Sequence, residues 1–152
     1  MEIRKLNFAS LLKLQEILDL QQKSYAIEAN ILGIQFLPPQ QESLRDLQNT
    51  REEIFAMLDC NQYVGALFLE NLADGKSINK LFVDPNYFRK GIGSKLVDYV
   101  IKLYPTQKFR VSTGENNKPA LRLYDEFDFV LTDTKDLGEG LKLVTLERSP
   151  KH

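Results

Sequence analysis

The stretch INKLFVDPNYFRKGIGSKLVDYVIKL, from Ile78 to Leu103, decides how the rest of the chain is read. Ile78 to Val83 is apolar and β-prone apart from Asn79 and Lys80. Asp84-Pro85-Asn86 ends that strand, because proline has no N–H to give to a ladder. Arg89-Lys90-Gly91-Ile92-Gly93-Ser94 then opens a helix whose apolar residues Ile92, Leu96, Val100 and Leu103 recur at helical spacing. A glycine turn running into a helix N-terminus leaves several backbone N–H groups without partners and aimed one way. Such a place suits an anion, phosphate above all.

Two phosphate-binding patterns fail here on spacing. A P-loop needs G-x-x-x-x-G-K-S/T, but Gly93 is followed by Ser94-Lys95 and the fifth residue before it is Phe88. A dinucleotide fingerprint needs G-x-G-x-x-G; Gly91 and Gly93 fit, while Leu96 stands where the third glycine belongs. The string V-D-P-x-Y-x-R/K-K-G-I-G-S-x-L instead resembles the pyrophosphate-binding loop of the GNAT superfamily of acyl-CoA-dependent N-acetyltransferases. That family's Q/R-x-x-G-x-G/A maps onto Phe88, Gly91 and Gly93. Phe88 departs from it, in a loop that works chiefly through backbone N–H groups.

A second constellation lies downstream. The family often carries N-x-x-A-x-x-L-Y-x-x-x-G-F, and Asn117, Ala120, Leu123, Tyr124 and Phe129 match it, with Asp128 in place of the glycine. The resemblance covers Phe55 to about Val130 by motif, and the earlier residues only in element order. It implies a single α/β (α+β) domain over residues 1–152: a mixed, mostly antiparallel sheet of about seven strands flanked by about four helices. Strands four and five would be parallel neighbours that splay apart to admit the pantetheine arm of acetyl-CoA.

The remaining sequence agrees with such a domain. The chain has 152 residues, 27% charged and 43% hydrophobic, with a formal net charge of −1, so nothing drives it globally toward nucleic acid or an acidic membrane. No apolar run approaches a transmembrane span and the N-terminus lacks a signal-peptide core, so a soluble, cytoplasmic protein is expected. The single cysteine, Cys60, reads as a structural or partly exposed thiol, and the only histidine is His152. A histidine-based triad and a histidine-ligated zinc are therefore not expected, nor is any other metal.

Met1 to Phe8 alternates as a first strand, and Ser10 caps a helix running to about Ala29 with Leu11, Leu14, Leu18 and Tyr25 on one face. Gly33 and Pro38-Pro39 break the chain before a short helix over 41–48. Glu53 to Leu58 and Tyr63 to Leu69 form a hairpin, and the Asp74-Gly75 turn brings back a third strand from near Ser77. Phe109 to Thr113 is a strand, Pro119 starts a helix, and Phe129–Thr132 with Leu141–Leu146 make the last pair.

The resemblance also assigns roles. Backbone groups of Leu81, Phe82 and Val83 would bond the pantetheine and the thioester carbonyl, the latter a modest oxyanion hole. Phe88, Arg89, Lys90, Gly91, Ile92, Gly93 and Ser94 would hold the pyrophosphate, and Asn117 and Ala120 the arm. Tyr124 would protonate the leaving thiolate. A carboxylate on the fourth strand is missing, so Glu28, or Glu70 with a water as relay, is the candidate base; Glu28 could also hold a cationic amine. Plain alternatives stay open: Tyr124 as a core aromatic, Asn117 as a helix cap, Arg89 and Lys90 as a solvated loop, Glu28 as a surface charge. The expected function is transfer of an acetyl group from acetyl-CoA to a primary amine on a small molecule or a protein, with a homodimer left open. The competing reading is a non-catalytic acyl-CoA-binding regulatory module.

Overall fold

The β-branched and aromatic residues between Glu53 and Val83 pair into a meander that forms the middle of the molecule. A computed structural model describes residues 1–33 and 38–151; His152 lies outside them. In chain order the elements are β1 (Glu2–Lys5), α1 (Leu11–Leu32), α2 (Leu44–Gln48), β2 (Glu53–Asp59), β3 (Gln62–Leu72), β4 (Gly75–Val83), α3 (Ile92–Leu103), β5 (Phe109–Gly114), α4 (Lys118–Glu126), β6 (Val130–Gly138) and β7 (Leu141–Arg148). Single 3₁₀ turns cover Pro38–Gln41 and Pro85–Tyr87. The seven described strands form one sheet, in the order β1-β2-β3-β4-β5-β7-β6. Every pairing is antiparallel except β4 with β5.

That parallel pairing is short. It runs from Lys76 opposite Phe109 to Ile78 opposite Val111, and there it stops. β4 continues to Val83 and β5 to Gly114, so the two strands part. The fold that the resemblance implies is present, splay included.

Each sheet face carries its own core. One buries Phe55, Leu67, Ile78, Leu96, Val100 and Phe109 under α3 and α4. The other buries Leu14, Ile17, Ile54, Phe68 and Phe82 under α1 and α2. A bulge in β4 serves both. Lys80 pairs with Phe68 and Ile78 with Leu69, so Asn79 is the extra residue. It offsets the alternation, leaving Ile78 in one core and Phe82 in the other.

Several boundaries differ from the sequence reading, each for a local reason. β1 covers only Glu2–Lys5, and α1 runs on to Leu32, where Gly33 at φ 73° ends it with a left-handed cap. The single helix expected over 41–48 is a 3₁₀ turn and then α2, because Ser43 and Asp46 form a capping box that restarts the helix. α3 begins at Ile92, not Arg89, since Arg89 and Gly91 both sit at left-handed φ. Leu103, placed on the apolar face, is exposed at the helix end. The third strand starts at Gly75, where Lys76 N–H donates to Lys108 at 2.8 Å. β6 continues to Gly138; with a partner on one edge and all its residues exposed, it needs no apolar alternation.

Gly65 sets the distance between β3 and the start of α3. A Cβ there would lie 2.9 Å from Ile92 Cγ2 and 3.2 Å from the Phe82 carbonyl oxygen. Gly65→Val should therefore destabilise the protein by about 1–3 kcal/mol, as overpacking does. Urea denaturation checks this, and an unchanged midpoint would mean that α3 floats on the sheet instead of being seated on it.

Candidate active site

The turn into α3 is built by its neighbours. Asp84 is buried, accepts a bond from the Asn86 N–H at 2.9 Å, and lies 3.5 Å from Lys23 of α1. Its own N–H donates to Val64 at 2.8 Å. The Tyr87 hydroxyl donates to Asp59 at 2.8 Å, tying the turn to the β2–β3 hairpin, whose exposed tip includes Cys60. The chain then turns through Arg89 at φ 66° and Gly91 at φ 74°. Among the described residues no side chain caps α3, so its first N–H groups are left without side-chain partners beside the exposed Arg89 and Lys90.

The proposed loop residues do not all behave alike. Phe88 is exposed, and Lys90 Nζ lies 5.1 Å from the Tyr87 ring centroid. Ile92 is a core residue. A Cβ on Gly93 would meet Leu123 at 3.4 Å and Leu81 at 3.9 Å, so Gly93 keeps the space between α3, α4 and β4 narrow. Ser94 is half-buried.

Where β4 and β5 part, a cavity of about 280 Å³ opens, lined by Tyr25, Glu28, Asn79, Leu81, Asn117 and Tyr124 among others, Ala120 included. Helix α1 brings Tyr25 and Glu28 to one side at i, i+3 spacing. Helix α4 brings Asn117, Ala120 and Tyr124 to the other. The two sides touch: Asn117 Nδ2 donates to Glu28 Oε1 at 3.1 Å, while Asn117 Oδ1 accepts from the Ala120 N–H at 3.3 Å. Asn117 is thus both the helix cap and a cavity residue. The Tyr124 ring is held against Phe129 at a centroid distance of 5.2 Å.

Asp128 explains that packing. It stands at φ 65°, the left-handed region that a glycine would take more cheaply, and Lys151 pairs with its carboxylate. The turn is kept, with Phe129 N–H donating to Tyr124 at 3.1 Å.

Burial sets the electrostatics. The Glu28 carboxyl is half-buried and pushed above its usual range by loss of solvent, with the Asn117 amide pulling it partly back. Burial, and then the nearby Glu28 charge, push the Tyr124 phenol up. Tyr25 is pushed up by burial first, then by Glu28 and Tyr124, while the Leu81 backbone N–H beside its hydroxyl opposes this. Both phenols therefore stay protonated at neutral pH and remain donors. Glu28 is a carboxylate able to take a proton or hold an ammonium.

Glu70 lies outside this set. Its carboxylate accepts from Asn79 Nδ2 at 3.0 Å, and Glu52 accepts from the same nitrogen at 2.9 Å. The backbone of Leu81 and Val83 flanks the splay, with Ser24 Oγ donating to Val83 O at 3.3 Å, whereas the Phe82 side chain is core. The sequence reading missed Tyr25, which it gave to the helix's buried face; its position three residues before Glu28 was the available signal. It also missed Lys80, which is buried, pairs with Glu42 and lies 4.3 Å over the Phe68 ring. The buried Gln21 joins them, donating to Glu42 at 2.7 Å and to Pro39 O at 2.9 Å. This clasp fixes the Pro39–Glu42 segment beside the cavity. Among the described residues no cluster could hold a metal.

Comparison with known proteins gives the same family as the motifs. The model of the acetyltransferase (GNAT) family matches residues 14–129. The UPF0157 protein YqkA of Bacillus subtilis (strain 168) is 33% identical over 138 residues, which is 90% of this chain and 40% of that protein. The spermine/spermidine N(1)-acetyltransferase of the same strain is 33% identical over 89 residues, 53% of this chain and 58% of that protein. The chain thus spans about half the length of these relatives. Among solved structures, the PaiA N-acetyltransferase of Thermoplasma acidophilum in complex with coenzyme A superposes with a TM-score of 0.74 at 18% identity, covering 97% of this chain and 98% of that one.

The Glu28 environment makes a prediction about stability. A carboxyl raised above its unfolded pKa of about 4.3 penalises the fold wherever it is ionised, and the penalty vanishes below that pKa. Glu28→Gln should raise the thermal midpoint at pH 8, and the gap to wild type should close as the pH falls toward about 4.3. A gap that is the same at every pH would assign the effect to something other than the charge.

Proposed function

The chain belongs to the acetyltransferase (GNAT) family, and from that premise we propose that it moves an acetyl group from acetyl-CoA to a cationic primary amine, by direct attack of the amine nitrogen on the thioester carbonyl. The observation that carries this is the meeting of Glu28, Asn117 and Tyr124 in the cavity at the β4–β5 splay. The residues suit acetyl-CoA: the uncapped start of α3 and the cations Arg89 and Lys90 fit its pyrophosphate, and the parted strands fit its arm. When bound, it supplies an activated thioester.

The rest is done by this chain's side chains. Glu28 attracts the ammonium group of the acceptor and takes its proton, helped by a raised proton affinity. Tyr124, protonated and fixed by Phe129, donates a proton toward the departing sulfur. The Leu81 N–H, which bonds the Tyr25 hydroxyl, becomes a donor for the carbonyl oxygen once the hydroxyl gives it up to the bound thioester. Tyr25 narrows the acceptor side. The spermine and spermidine in one relative's name support a cationic acceptor and put polyamines first among amines to try.

The test is thiol release from acetyl-CoA against polyamines, amino acids and lysine peptides. Turnover with at least one amine is expected. Binding of acetyl-CoA without turnover on any of them would favour the regulatory module. Given an acceptor, Tyr124→Phe should lower kcat at or below the low end of the 10²–10⁴-fold that general-acid help is typically worth, roughly 10²-fold or less, with acetyl-CoA affinity unchanged. Glu28→Gln should raise the acceptor KM. A Tyr124→Phe enzyme with wild-type kcat, where chemistry limits turnover, would make the tyrosine a packing residue.

A further inference from the structure

β6 ends the sheet, and its outer edge has no strand partner among the described residues. All nine of its residues are exposed, Val130, Leu131 and Leu137 at 61%, 59% and 54%. An edge of this length offers a row of N–H and C=O groups to another strand. Its sequence, V-L-T-D-T-K-D-L-G, is close to self-complementary when read against its own reverse about Thr134. Asp133 then faces Lys135.

We propose that β6 pairs antiparallel with β6 of a second copy of this chain, about a two-fold axis at Thr134, joining the two sheets into one. In a two-fold interface every contact occurs twice, so the axis generates two Asp133–Lys135 pairs. Asp133 and Lys135 are two residues apart and project to the same face, where opposite charges in cross-strand positions attract. Moving the axis by one residue sets Asp133 against Asp133 or Lys135 against Lys135, and like charges directly opposite destabilise a pair. Neither residue has an ion-pair partner among the described residues, so both are free to form one across the interface. The register of β6 on β7 shifts between Leu131 and Asp133 and again between Asp136 and Gly138. These bulges confine the regular ladder to Asp133–Asp136 and blunt the rest of the edge against unrelated strands. The second copy is favoured over a foreign peptide because the charge order complements itself.

Sedimentation velocity on the full chain over a concentration series tests this. A monomer–dimer equilibrium is expected for the wild type. Asp133→Lys and Lys135→Asp should each weaken the dimer at least about tenfold, by placing like charges opposite. The double variant, with the charges exchanged, should restore it. Hydrogen exchange gives an independent readout: β6 amides should be protected at high concentration and lose protection on dilution. A wild type that stays monomeric, a dimer indifferent to either single substitution, a double variant no tighter than the singles, or β6 exchange independent of concentration would each overturn the proposal.

Discussion

Hydrogen bonding between β4 and β5 ends at Ile78 and Val111, and the candidate site exists because it ends there. Backbone groups that a continuous ladder would have consumed are left facing a gap. The gap stays open because each strand is secured on its other edge, β4 by β3 as far as Val83 and β5 by β7 as far as Gly114. Helices α1 and α4 then approach from opposite sides, and the Asn117–Glu28 bond joins them across it.

Around the gap the protein holds groups that burial penalises, and it gives them partners. Glu28 has the Asn117 amide, and Lys80 has Glu42 and Gln21. A buried charge that lost its partner would be costly, so these contacts constrain the segments they join. Gln21, Lys80 and Glu42 fix the Pro39–Glu42 segment to α1 and β4. The site's wall is therefore set by polar contacts as much as by the apolar core beneath it.

Left-handed residues do comparable work at the ends of the helices. Gly91 turns the chain into α3, and Asp128 turns it out of α4, each at positive φ. Where the family pattern has glycine, Asp128 accepts the same conformation, in the region that aspartate tolerates better than most residues. Its pairing with Lys151 adds a contact that glycine could not make.

The sequence by itself determined the element order and the strand–turn–helix around Gly91, because these rest on local periodicity and turn chemistry, and the family motif it carries set Asn117 at the start of the helix that bears Tyr124. It also pointed to Glu28, without deciding between a cavity residue and a surface charge. Only the tertiary structure decided that question, since Glu28 and Asn117 are 89 residues apart in the chain and meet through the packing of α1 against the splay. The same is true of Tyr25, which looks like any core aromatic until the cavity defines which end of its helix it lines. Lys80 reads as a polar interruption in a strand, and the bulge at Asn79 and the position of Glu42 make it a buried, paired cation. The full length of β6 was also beyond local reading: a strand exposed on both faces carries no apolar alternation, and its extent is set by pairing with β7.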